Sequence, residues 1–297
     1  MKLANVLKGC LVGGAIGDAI GSRYETSQII IAIDWNDLGY ITDDTQLTLA
    51  TCEAILETGE VSPPAIAQKM LDWYNRGRLR GLGASTLKAL RDLQVGAHWG
   101  LSGRTGEYAA GNGAAMRIAP LAFFLSPVTD RRLVRDICII THKNDEACTG
   151  CMAILHALAS VLSGDWFNHS EGWILEHIAS LLPDTLVKDN LLRLHGQPGL
   201  SIPEAAALIG CSGHVAQSVP FAIYSATKIK ALSFKEVLSA IVCCGGDTDT
   251  NASMAGQIIG ASLGWEALPP ELVQSFMEID ESSHLLNIAD KLGEKLR

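Results

Sequence analysis

The chain has 297 residues, 48% hydrophobic and 19% charged, enough to bury one sizeable core and too balanced for a disordered or fibrous protein. A formal net charge of -9 and a pI near 5.3 exclude a general electrostatic footprint for nucleic-acid backbone or an anionic membrane surface, so a polyanionic ligand has to be met locally. The eight cysteines are scattered through apolar stretches, there is no signal peptide, and the longest apolar run, around Ile29 to Ile33, is far short of the roughly 20 residues that span a bilayer; the expectation is a soluble, cytoplasmic monomer with reduced thiols.

Helical periodicity runs through most of the chain. Ala4, Leu7, Leu11 and Ala15 mark a first helix, and Leu47, Ala50, Ala54 and Ile55 a second. Ile66, Met70 and Trp73 mark a third, which Ser62 would cap ahead of Pro63 and Pro64; Leu133, Ile137 and Ile140 mark a later one that Asp130 would cap. The breakers between them, such as Gly77 to Gly83, Gly111 to Gly113, Pro183 and Pro269-Pro270, are too short to link separate domains. The β-branched stretch from Ile29 to Ile33 has no partner run and reads as a loop or short edge strand. The predicted fold is all-α, a single many-helix bundle spanning residues 1–297.

Two segments carry more charge than helix starts require. Thr42-Asp43-Asp44-Thr45 opens an apolar helix, and Gly245-Gly246-Asp247-Thr248-Asp249-Thr250 opens one of small residues. Capping accounts for Thr42 or Asp43 in the first, with Asp44 favourable against the helix dipole by about 0.3–1 kcal/mol; in the second it accounts for one acid and hardly for both. Hard cations such as Mg²⁺ take oxygen ligands, and these two clusters, if brought together, supply carboxylates and hydroxyls enough for a two-metal site. Gly13, Gly14, Gly17 and Gly21 lack the preceding strand that a dinucleotide-binding loop needs, so close helix packing is the better reading. Asp18, an acid on that small-residue helix, is costly to bury unless bonded to a neighbouring loop. Cys148 and Cys151 have no second Cys-x-x-C pair and read as buried helical cysteines.

The ordered set Gly9 to Gly21, Thr42-Asp43-Asp44-Thr45, Gly111-Asn112-Gly113, Thr141-His142 and Gly246-Asp247-Thr248-Asp249-Thr250 resembles the ADP-ribosylglycohydrolases, which include arginine-specific ADP-ribosyl hydrolases, over nearly the whole chain. The resemblance implies an all-helical fold and two Mg²⁺ ions, with Mn²⁺ as the alternative, on Thr42, Asp43, Asp44, Asp247, Asp249 and Thr250. It further implies proton handling by Glu25, Asp43 and Asp249. Gly81, Gly83, Gly111, Asn112, Gly113, Met116 and His142 would bind the substrate, an ADP-ribosylated protein or small molecule, with ADP-ribose as product. Arginine-linked ADP-ribose is the first expectation; serine-linked, O-acetyl or nucleic-acid-linked ADP-ribose, a non-catalytic ADP-ribose-binding protein and a metal-dependent phosphohydrolase are the alternatives.

Overall fold

The computed structural model describes residues 2–25, 30 and 32–296. Sixteen α-helices lie among them. The chain begins with α1 (Leu3–Ser22), α2 (Asp43–Thr58), α3 (Pro63–Asn75), α4 (Ala84–Gln94) and the short α5 (Trp99–Ser102). It continues with α6 (Arg131–Cys138), α7 (Asp145–Ser163), α8 (Asp165–Asn168), α9 (Glu171–Ser180), α10 (Leu186–His195) and α11 (Ile202–Ile209). The last are α12 (Val215–Thr227), α13 (Phe234–Cys243), α14 (Thr248–Leu263), α15 (Pro270–Met277) and α16 (Ser282–Lys295). The all-α expectation is met apart from a two-residue parallel ladder, in which β1 (Arg104–Thr105) pairs with β2 (His142–Lys143). Of the stretch from Ile29 to Ile33, Ile29 and Ile31 fall outside the described residues; Ile30, Ala32 and Ile33 have no regular structure.

At the centre α1 lies against α14. Both are buried on nearly all sides, and the pairing is possible because each presents a row of residues with no side chain to speak of. A methyl added at Gly13 would stand 2.4 Å from the carbonyl oxygen of Gly256, and one at Gly17 would stand 2.1 Å from that of Ala252, so backbone meets backbone along the whole contact. The packing reading of these glycines holds. The two helices therefore fix the chain's beginning against its end, and the starts of α2 and α14 inherit that registration.

Some sequence expectations are corrected in detail, and one helix holds an internal proline. Ser62 and Asp130 stand at the N-caps of α3 and α6, but neither side chain bonds the first turn; Asp130 instead accepts the Ser126 amide at 2.9 Å. Pro220 lies inside α12, where it removes one rung of the helix ladder. The Ala216 carbonyl left over is taken by Asn190 Nδ2 at 2.7 Å. Finally, α1 and α7 are each long and apolar enough to cross a membrane, which the unbroken apolar run did not reveal; both are mostly buried among the other helices, as core helices are.

Candidate active site

The site begins at Asp18. Its carboxylate is fully buried in α1 and faces the start of α2, accepting Thr42 N at 2.9 Å, Thr42 Oγ1 at 2.7 Å, Thr45 N at 3.1 Å and Thr45 Oγ1 at 2.6 Å. Burial raises its pKa to about 6, and those four donors pull in the opposite direction. Asp18 thus answers the unpaired N–H groups of the α2 start from outside the helix. Thr42 is the N-cap, with its hydroxyl also accepting the Asp44 amide at 3.3 Å.

This leaves Asp43 and Asp44 free of capping duty. Asp43 is fixed through its amide to the Arg80 carbonyl at 2.7 Å, which brings Gly81 against it; a side chain at Gly81 would crowd Asp43 Oδ1 and Thr42. On the other side α14 starts from a loop that turns through Gly245 and Gly246, both with positive φ. At Gly246 a methyl would strike the Cys211 carbonyl oxygen at 2.4 Å, so only glycine lets the Asp247 amide reach that same oxygen at 3.0 Å. Asp247 occupies the N-cap position of α14 without capping it, and accepts Asn112 Nδ2 at 2.8 Å instead.

The clusters converge. Thr250 Oγ1 donates to Asp44 Oδ2 at 3.1 Å, and Asp247 and Asp249 line the same cleft as Asp43 and Asp44. Burial and mutual repulsion hold Asp43 and Asp44 well above the usual carboxylate range and push Asp249 up to about 9. Among the described residues no Lys or Arg nitrogen lies within ion-pair distance of these acids.

Such a cluster fits a hard divalent cation. Asp44 Oδ1 is buried with no hydrogen-bond partner, and oxygens of Asp18, Asp44 and Asp249 lie within 4.8 Å of one another. Asp18 belongs to that trio by distance, but its oxygens are occupied by the α2 start. It holds Thr42 and Thr45 in place, and the other acids offer the free lone pairs.

A cleft of about 480 Å³ opens over the cluster. Asp43, Asp44, Asp247, Asp249 and Thr250 form its floor; Thr42 stands just beneath, bonded to Asp18. Every residue expected to contact substrate, Gly81, Gly83, Gly111, Asn112, Gly113, Met116 and His142, lines its wall. Glu25 is on the rim, exposed at the end of α1, with its pKa raised by partial burial and by the charge of Asp247. The wall is hung from α14: Gln257 Nε2 donates to the Met116 carbonyl at 2.7 Å, and Asn251 Nδ2 to the Cys211 carbonyl at 2.7 Å. The Gly111 loop in turn pairs with the chain at His214, and Asn112 N reaches the Gly213 carbonyl at 3.1 Å.

Sequence reasoning missed Arg104, Tyr108, Ser85, Thr86, Ser212 and Gly213, which also line the cleft. Arg104 lies 5.5 Å from the Tyr108 ring at the mouth, the one cationic side chain on the lining among the described residues. The Ser-Gly-His sequence before α12, a helix-start pattern, is the signal that points to Ser212 and Gly213; nothing comparable marks Arg104 or Tyr108.

A buried acid cluster able to hold a metal ion, beneath an open cleft in an all-helical frame, is the class of site that this fold defines. Comparison with known proteins makes the class specific. The family model described as ADP-ribosylglycohydrolase matches residues 2–297. The chain is 26% identical to ADP-ribosylarginine hydrolase Tri1 of Pseudomonas putida, covering 97% of this chain and 78% of that one. It is 27% identical to human ADP-ribosylhydrolase ARH3, covering 97% and 93%. A solved structure, an ADP-ribosylglycohydrolase-related protein complex, superposes with a TM-score of 0.73 over 100% of this chain and 99% of that one at 23% identity, a likeness of fold. The chain belongs to the ADP-ribosylglycohydrolase family.

Proposed function

We propose that the protein hydrolyses an ADP-ribose linkage with Mg²⁺, and that the linkage is the N-glycosidic bond from ribose C1 to an arginine side chain. The observation that carries this reading is the meeting of Asp44 and Thr250 beneath a cleft lined by the Gly81 and Gly111 loops and by His142. The similarity to Tri1, named for ADP-ribosylarginine, supports the arginine linkage; the similarity to ARH3 supports the wider activity.

Thr42, Asp43, Asp44, Asp247, Asp249 and Thr250 would hold two Mg²⁺ ions, or Mn²⁺ in their place, which when bound supply Lewis-acid orientation of ribose hydroxyls and water. The chain's own residues divide the remaining work. Gly81, Gly83, Gly111 and Gly113, all on the cleft lining, would offer N–H groups suited to diphosphate oxygens, a local answer to a net charge of -9. Water attacks ribose C1 as the C1–N bond breaks, passing through a state with oxocarbenium character. A carboxylate, Asp43 or Asp249, takes the proton from water, and Glu25 at the rim gives one to the departing guanidine nitrogen; partial burial and the charge of Asp247 raise its pKa, which favours the protonated form that this step needs.

We also read residues 1–297 as one cytoplasmic domain acting as a monomer; the eight free cysteines support a reducing compartment. Incubation with arginine-linked, serine-linked, O-acetyl and nucleic-acid-linked ADP-ribose in Mg²⁺ tests the reading. Release of ADP-ribose fastest from the arginine linkage is expected. Faster release from another linkage would reassign the substrate, phosphate release would indicate a phosphohydrolase, and no release from any would overturn the enzymatic reading.

A further inference from the structure

Arg117 is fully buried behind the cleft, yet it has no carboxylate partner among the described residues, and its Nε and Nη1 bond nothing. A buried cation left so incompletely paired is costly, and its one short hydrogen bond shows what it serves. Arg117 Nη2 donates to Thr141 Oγ1 at 2.9 Å, and Thr141 Oγ1 lies 2.8 Å from His142 Nδ1. The Thr141 hydroxyl is itself fully buried and has one proton to give; among the described residues His142 Nδ1 is the acceptor within reach.

We infer that Arg117 and Thr141 are positioning residues that lock His142 as the tautomer protonated on Nε2, so that the ring presents a fixed N–H donor to an anionic oxygen of the substrate in the cleft. The inference deepens the proposed function and rests on it for the identity of the ligand. With the guanidinium saturating one face of the Thr141 oxygen, the hydroxyl proton points to Nδ1, and the imidazole proton has to sit on Nε2. The backbone around the ring is fixed as well: Thr141's carbonyl accepts the Arg104 amide at 3.0 Å, and the His142 carbonyl accepts Cys138 Sγ at 3.3 Å.

The free edge of the ring is where such a donor is needed. A methyl at Gly111 would stand 3.2 Å from His142 Nε2, and one at Gly113 would stand 3.0 Å from Cε1. The two glycines therefore pack on the imidazole edge without a side chain to cover it, in a loop that lines the cleft beside His142. Burial, then the charges of Arg117 and Arg104, lower the His142 pKa to about 3, so the ring stays neutral and the tautomer is the only variable left. Neutral Nε2–H beside backbone N–H groups makes a donor set without a mobile charge.

The test reads the ring directly in the free protein. Long-range ¹H–¹⁵N spectra of the histidine-labelled protein, with His142 assigned among the eight histidines by His142→Gln, should show a protonated Nε2 and a bare Nδ1. Thr141→Val should let the Nδ1-protonated form appear and weaken ADP-ribose binding roughly tenfold, the loss of one oriented hydrogen bond. Thr141→Ser should restore both. Arg117→Met should move the tautomer in the same direction; because it alters a buried site and can fail to fold, Thr141→Val carries the decision, with its fold checked by circular dichroism. A wild-type His142 protonated on Nδ1, or a Thr141→Val ring spectrum unchanged from wild type, would overturn the inference. These spectra need no turnover, so failure of the hydrolase reading and failure of the relay appear separately.

Discussion

Asp44 and Thr250, separated by 206 positions, meet at 3.1 Å between the carboxylate and the hydroxyl. The contact exists because α1 lies in backbone contact with α14 and Asp18 reaches from α1 to the start of α2, so three helices share one registration. The acids gathered there repel one another, and their stability depends on what neutralises them.

The first expectation concerns cations. Mg²⁺ should raise the melting temperature, because a ligand bound to the folded state alone stabilises by about 2.7 kcal/mol at a concentration one hundred times its dissociation constant. Differential scanning calorimetry with and without Mg²⁺ checks it. Asp247→Ala should remove most of the increment while leaving the helical signal intact; an equal increment in wild type and variant would contradict the assignment.

Asp18 should matter through what it holds. Asp18→Asn replaces an all-acceptor carboxylate with an amide that presents two N–H donors, one side facing N–H and O–H groups of Thr42 and Thr45. The expected cost is about 2–3 kcal/mol in urea unfolding, with weakened Mg²⁺ affinity as α2 shifts. Loss of Mg²⁺ affinity with no loss of stability would instead make Asp18 a direct ligand.

The helix pairing gives a steric prediction. At Gly13 the added methyl of Gly13→Ala meets a backbone carbonyl 2.4 Å away, and Gly256→Ala meets one 2.2 Å away, so neither neighbour can rotate aside. Each substitution should cost about 3 kcal/mol, at the upper end of overpacking, and lower activity by displacing α14. Gly83→Ala, with nothing within 4 Å of the added methyl, should leave stability within about 0.5 kcal/mol of wild type.

Much of this was legible in the sequence, and the reasons differ by residue. Thr42, Asp43, Asp44, Asp247, Asp249 and Thr250 stood out because two carboxylates at a helix start exceed what capping uses. The small residues of α1 and α14 announced close packing, although which helix each would meet is a tertiary fact. Arg104 and Tyr108 were not legible: the two-residue β1 is too short to show alternation, and the cleft is closed there by irregular chain. Ser62 and Asp130 marked helix starts correctly, yet the bonds they would make were taken over by local geometry and by Ser126. Nothing in the sequence around Arg117 distinguishes it from a surface cation, and only its burial shows it to be isolated.

Acid should expose a second buried histidine. His156 Nε2 has no partner, and burial first, then Arg131 and His177, lower its pKa to about 4. A histidine depressed in the folded state is neutral in both states well above pH 6.5; below that the unfolded chain binds a proton that the folded one refuses. Stability therefore falls as pH drops from about 6.5 to about 4, by up to roughly 1.4 kcal/mol per pH unit for this group. Raised carboxylates act in the opposite sense, so the informative quantity is wild type minus His156→Leu across that window. A difference independent of pH would show that His156 is free to protonate in the folded protein.

The most direct test of the account is ADP-ribose release from an arginine-linked substrate by wild type and by Asp44→Ala, in Mg²⁺ and after chelation, with folding verified for each. The account predicts release by wild type that stops on chelation and returns with Mg²⁺, and a loss of more than about 100-fold in Asp44→Ala. Release by a folded Asp44→Ala at the wild-type rate, or wild-type release indifferent to chelation, would contradict it.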